Sequence, residues 1–417
     1  MKRIRFNILF IILLLCTTTN AQKFEDYFTD NTLRLDYIFA GDSKKQAIYV
    51  DELNKIPRWY GRRQHLAELP LLGSGQITVR DKADGTVIYR HSFSTLFQEW
   101  LGTDESKHTS KSFENVFLVP YPKRPVDITV ELKDYHARTT ALLTHTVNPT
   151  DILIKHIGER GTTPFETLQH AADTARCIHI AYIAEGYSKN EMGLFRADAE
   201  AATEALFAHE PFKSMRDRFN IIAVKSLSED SGTSEPANGV WRKTALMSHF
   251  DTFYSDRYLT TLHLKKLHDL LAGTPYEHII VLVNTEKYGG GGIYNSYNLS
   301  YTKGQYFRPV VVHEFGHSFG GLADEYEYGD DDPMYFSDTE PWEPNITTKA
   351  DFRDKWENLI AEGKAGMVEG GGYMSKGVFR GCKDCRMKTN DVPEFCPVCQ
   401  QALAKLINFY TEQPLSE

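Results

Sequence analysis

Residues 313–325 read His-Glu-Phe-Gly-His-Ser-Phe-Gly-Gly-Leu-Ala-Asp-Glu, and no other stretch restricts the fold as tightly. Two histidines four apart project from one face when the backbone is helical. Pro309 suits the first turn of such a helix, and Val310 to Phe319 can continue it. Gly320 and Gly321 then end it, because glycine accepts the left-handed turn that redirects a chain. A helix built this way offers the imidazoles of His313 and His317 to one zinc ion. Glu314, one residue on, is placed to act as general base toward an attacking water. A catalytic zinc takes three protein ligands and keeps a fourth position open. The third ligand must come from just past the glycine turn, where Asp324 and then Glu325 are the candidates, or from a distant segment. The bland alternative is a His-Glu-x-x-His on an exposed helix with both acids merely solvated. A helix start, a double-glycine stop and a following carboxylate together argue against it.

The 417 residues suggest two or three domains. Residues 22–158 read as an all-β unit. Short runs alternate in polarity at Leu33–Phe39, Ile77–Arg80, Val87–Arg90 and Val126–Leu132. Asp84-Gly85 is a hairpin signal between the second and third, and Pro120-Tyr121-Pro122 reads as a break before the fourth. Strands at this spacing predict a β-sandwich. Trp59, Tyr60 and Trp100 are assigned to core packing rather than to a ligand. A linker is expected at Gly158–Pro164. Residues 165–417 then change pattern. Apolar strands at Ile178–Ala184, Phe219–Val224 and Ile279–Val283 alternate with helical patterns. One helix opens at the capping box Ser188–Glu191, and another spans Leu259–Leu271 with Gly273 beyond it. The fold class is therefore α+β with two domains, a β-sandwich followed by a helix-covered sheet.

The chain opens with Lys2, Arg3 and Arg5, an apolar run from Ile8 to Leu15, and Thr19-Asn20-Ala21. That is the pattern of a secretory signal peptide over residues 1–21, too short to span a bilayer. Acylation of Cys16 is a weaker alternative, because bulky Leu15 precedes it. The formal charge is −9, and removing those three cations with no acid leaves −12. This argues against a nucleic-acid partner, which needs a basic face. No other stretch is long and apolar enough to be a membrane span. Cys177 reads as a small buried hydrophobe. Cys382, Cys385, Cys396 and Cys399 form two Cys-x-x-Cys pairs within eighteen residues. They fit a structural zinc site or, in an oxidising compartment, two disulfides. The acidic residues Glu327, Asp330, Asp331 and Asp332 read as a solvated loop without calcium-ligand spacing.

The run His-Glu-x-Gly-His-x-x-x-Gly-Leu-x-Asp-Glu-Tyr resembles the IgA-peptidase-type zinc metallopeptidases. So do Val283–Ile293 and Phe395-Cys396-Pro397-Val398-Cys399. The resemblance implies a metzincin-like peptidase domain, secretion, and an extra N-terminal β domain found in some members. Metzincins place the third ligand six residues after the second histidine. Here that position is Ala323, so one added residue in the turn transfers the role to Asp324. The resemblance also implies a methionine beneath the metal. Met387 is preferred to Met374, because its place after Cys385 is similar to an arrangement in archaemetzincins.

The expectation is a secreted zinc endopeptidase acting on protein or peptide. Its mechanism uses zinc, a water and Glu314, with extended substrate approaching near Gly289–Gly292, for which a flexible loop is the other reading. Two other classes remain open. One is a surface protein that binds glycan or protein and carries a vestigial metal domain. The other is a zinc amidase acting on cell-wall peptides. Glu314 beside both histidines argues against a dead site.

Overall fold

The computed structural model of the protein describes residues 22–328 and 334–412. The expected signal peptide with Cys16, and Asp330 to Asp332, lie outside the described residues. The N-terminal part runs α1 (Phe24–Tyr27), β1 (Phe28–Gly41), β2 (Gln46–Pro57), β3 (Gly75–Asp81), β4 (Val87–Phe93), α2 (Leu96–Leu101), β5 (Lys111–Pro122), β6 (Val126–Lys133), β7 (Thr139–Val147) and β8 (Lys155–His156). Two four-stranded sheets form, ordered β5-β1-β2-β8 and β4-β3-β6-β7. Alternation does the work in β6, whose residues are buried and half-buried in turn. Leu33, Leu35, Tyr37 and Phe39 meet Ile77, Val79, Ile128 and Val130 in one core between the sheets. Trp59 and Trp100 are buried there.

The proline segment departs from the expected break. Pro120 and Pro122 belong to β5, opposite Thr32 and Phe28 of β1. Strand β5 lies at a sheet edge, where a missing N–H costs no ladder bond.

The second part contains β9 (Phe165–Gln169), β10 (Ile178–Glu185), α3 (Met192–Phe207), β11 (Phe219–Val224), α4 (Leu264–Leu271), β12 (His278–Val283), β13 (Gly290–Ile293), β14 (Tyr297–Tyr301) and α5 (Phe307–Ser318). After these come β15 (Ile346–Thr347), α6 (Arg353–Ala361), β16 (Val368–Gly371), β17 (Met374–Arg380) and α7 (Pro397–Thr411). The main sheet is ordered β13-β14-β12-β10-β11-β9. Its four inner strands are parallel, and the two edge strands are antiparallel. All eight residues of β10 are buried, as a strand covered on both faces requires. One face, with Ile183, Val281 and Val283, joins the sandwich core. The other, with Ile180, Tyr182 and Leu282, packs under α3, α5 and α7. The molecule is thus a two-domain α+β protein. Buried Arg34 crosses between the parts, pairing with Asp36 at 2.7 Å and with Asp269 of α4 at 2.6 Å.

Two local expectations change. The helix expected over 259–271 begins only at Leu264, because Leu259 and Thr260 pair as extended backbone with Gly290 and His249. The glycine run 289–292 is not a loop. Most of it forms edge strand β13.

Candidate metal centre

Helix α5 ends at Ser318, and Gly321 has φ +59°. That left-handed step turns the chain back beneath the helix, so Asp324 returns to the face carrying His313 and His317. The Nε2 atoms of the two histidines are 3.0 Å apart. Asp324 Oδ1 lies 3.1 Å from His313 Nε2 and 3.3 Å from His317 Nε2. Zinc bonded at about 2.0–2.1 Å holds neighbouring N or O ligands about 3.3 Å apart across a tetrahedral angle. The three separations match one face of that tetrahedron.

The ring tautomers strengthen the fit. His313 Nδ1 donates to the Arg386 carbonyl at 3.0 Å, and His317 Nδ1 to the Leu322 carbonyl at 2.6 Å. Each Nδ1 is committed to a carbonyl, so each Nε2 is the nitrogen turned to the site. Two Nε2 atoms and a carboxylate crowded together need a proton or a metal cation between them. Asp324 Oδ1 is buried with no aligned hydrogen-bond partner. Burial opposes charge on His317, yet the Asp324 carboxylate and Glu314 outweigh it and hold the imidazole up at about 9. The same histidines hold Asp324 well below the usual carboxylate range despite its burial. A divalent cation would take the place of that proton.

Glu314 sits on the same helix, 9% exposed. Burial pushes its carboxyl up, and the neighbouring histidines act against the rise. A Cβ on Gly290 of β13 would lie 2.4 Å from Glu314 Oε1. The absence of a side chain there gives the carboxylate its room. The close approach expected at the glycine run is thus made by the chain itself. The outer edge of Gly290 is also paired, to Arg257 and Leu259.

The structure separates Glu325 from Asp324. Asp324 faces the histidines, whereas Glu325 Oε1 lies 3.2 Å from Cys399 Sγ. Ligand atoms of Glu325, Cys385, Cys396 and Cys399 all lie within 4.8 Å of one another. Cys382 does not join that group; it is partly exposed and touches Cys396 from outside. The thiols are unbonded, with Cys385 and Cys399 sulfurs 3.7 Å apart. Met387 is fully buried against Gly316 of α5, and Met374 is only half-buried.

Several residues at the site went unread in the sequence. The Tyr373 hydroxyl donates to Asp324 Oδ2. Tyr373 has φ +68° in the hairpin between β16 and β17, and the preceding Gly370-Gly371-Gly372 was its only sequence signal. Tyr326 also reaches Asp324. Tyr373 stacks on the exposed ring of Tyr328, with centroids 5.9 Å apart. Glu99 of α2, in the N-terminal part, accepts from Tyr258 and feels the charges of His317, Asp324 and Glu314. Burial pushes Glu99 up to about 7. The sandwich therefore contributes a carboxyl to the surroundings of the centre, and nothing in its local sequence marked it.

A family model described as IgA Peptidase M64 matches residues 167–365, and one described as Peptidase M64 N-terminus matches residues 23–144. The first match contains His313 to Glu325 and stops before Tyr373 and the cysteines. No curated protein matches the chain.

Proposed function

The chain belongs to the IgA peptidase M64 family, and from that membership we propose that it is a secreted zinc-dependent endopeptidase with Glu314 as general base. Peptidase activity, and with it a protein or peptide substrate, follows from the family. The observation that supports the finer reading is the triangle of His313 Nε2, His317 Nε2 and Asp324 Oδ1. Its edges are 3.0, 3.1 and 3.3 Å, and both rings are held with Nε2 inward. These three residues would hold the ion, and Glu325 is assigned elsewhere. A zinc ion there would act as a Lewis acid and bring a water's pKa to about 7.

The chain supplies the rest. Glu314 accepts the proton of the attacking water at its carboxylate and passes it to the departing amine. Its raised proton affinity suits both transfers. Gly290 keeps the carboxylate free of a steric neighbour on the β13 side. Tyr373 and the two backbone carbonyls fix the orientation of the three ligands. Export rests on the leader pattern of residues 1–21. Among the described residues no helix is long and apolar enough to cross a membrane.

The test is metal content and peptide cleavage of the mature chain beside a His313→Ala variant. The variant is expected to lose one zinc per chain and all cleavage. A variant that still cleaves at the parental rate overturns the reading.

A further inference from the structure

The geometry points to a second metal site, made of Cys385, Cys396, Cys399 and Glu325, that takes one zinc-like divalent cation and fixes the ligands of the first centre. The site is built from buried residues. Cys385, Cys399 and Glu325 have no exposed surface, and Cys396 is 5% exposed. Zinc bonded to two sulfurs at about 2.3 Å holds them about 3.8 Å apart. Cys385 and Cys399 lie at 3.7 Å, far beyond the roughly 2.05 Å of a disulfide. The carboxylate supplies an independent sign. Glu325 Oε1 is engaged by the Asn345 amide at 3.0 Å, but Oε2 is buried with no hydrogen-bond partner. An unpaired buried carboxylate oxygen beside three thiols is costly unless a cation meets it. Three thiolates and one carboxylate suit a borderline-soft ion with tetrahedral preference. Four protein ligands leave no open position, so this site does no chemistry of its own.

Its consequence runs through the backbone. Cys385, Arg386 and Met387 are consecutive. The first is a ligand of the second site. The Arg386 carbonyl receives His313 Nδ1, and the Met387 carbonyl receives the Glu325 N–H at 2.9 Å. Glu325 is bonded directly to Asp324. One cation in the cysteine site therefore pins both the partner that orients His313 and the residue that follows Asp324. This positioning role rests on the peptidase reading, whereas the second site itself does not.

The experiment is cobalt substitution and metal analysis of the reduced, full mature chain. Two ions per chain are expected, one of them giving thiolate-to-cobalt charge-transfer absorption. His313→Ala should lose one ion and keep that absorption, which separates failure of this proposal from failure of the peptidase reading. Cys382→Ser should keep both ions and the full band. Cys396→Ser should lose about a third of its intensity, the share of one thiolate in three. Glu325→Gln, a mild change, should weaken retention of both ions while the far-ultraviolet circular dichroism stays parental. The proposal is overturned if the parent's thiols are oxidised to disulfides, or if the band is absent from His313→Ala. It is equally overturned if Cys382→Ser dims the band while Glu325→Gln leaves both ions in place.

Discussion

Two clusters of metal-ligating groups meet at a single peptide bond, between Asp324 and Glu325, and they are built on opposite terms. The histidine cluster has three groups able to hold a metal. His313 and His317 are 14% and 15% exposed at their side chains, so one side faces solvent. The cysteine cluster has four such groups, all buried. An open triangle leaves a position for water and substrate, whereas a closed tetrahedron has none to offer. On the proposed reading the contrast separates reaction from support: the open cluster would do the chemistry, and the closed one would hold still the segment on which the open one depends.

The comparison is tested most severely by stripping metal. A chelator should remove the ion of the open cluster first, abolishing cleavage while the fold persists, and added zinc should restore activity. The closed cluster should release its ion more slowly and with loss of tertiary structure. Metal release followed beside activity and near-ultraviolet circular dichroism checks the order. Simultaneous loss of both ions in one kinetic phase would erase the distinction drawn here.

Glu314→Gln comes next in size. It removes the proposed proton acceptor without touching a proposed ligand, so metal content should stay parental. Turnover should fall by about 10² to 10⁴, the usual worth of general acid–base catalysis. Activity within a few-fold of the parent would move the base elsewhere. Glu99 would become the first candidate, since it lies within reach of the same charges.

How much of this was legible beforehand depends on how local each signal was. The four-residue spacing of His313 and His317, Glu314 between them and the glycine stop are all set by one helix and its end. They read directly from periodicity. Asp324 and Glu325 are harder. Sequence reasoning made them rivals for one place, but consecutive side chains project to different sides of a non-helical segment, and each has its own cluster. Tyr373 contacts Asp324 from a distant hairpin, Glu99 bonds Tyr258 from the other domain, and no local pattern encodes such a meeting. In the sandwich, β6 was visible because it alternates. Strands β2 and β7 were not, because their outward faces carry residues such as Tyr49, Val50 and Leu142 that blur the period. Pro120 and Pro122 misled for a related reason, since only tertiary position tells an edge strand from a break.

Tyr373→Phe sharpens the account of the open cluster. The hydroxyl donates to the Asp324 oxygen that does not face the histidines. Its loss should free that carboxylate to rotate. Partners that orient a metal ligand are typically worth 10- to 100-fold in metal affinity, and a drop in that range is expected in competition with a colorimetric chelator. The closed cluster should be indifferent to the change. An unaltered affinity would show that the hairpin is packing against Asp324 without orienting it.

Met387→Leu has the smallest expected effect and asks which part of the connecting segment matters. The thioether fills space beneath α5 against Gly316, and leucine is a near-isosteric replacement that usually costs under about 1.5 kcal/mol. The melting temperature should therefore shift by no more than a few degrees. The link between the clusters runs instead through the carbonyls of Arg386 and Met387, which the substitution keeps. Both ions and most of the activity should survive. If the variant keeps its fold but loses the ion of the histidine cluster, then the sulfur itself supports the open site, and the backbone link is not sufficient to set its geometry.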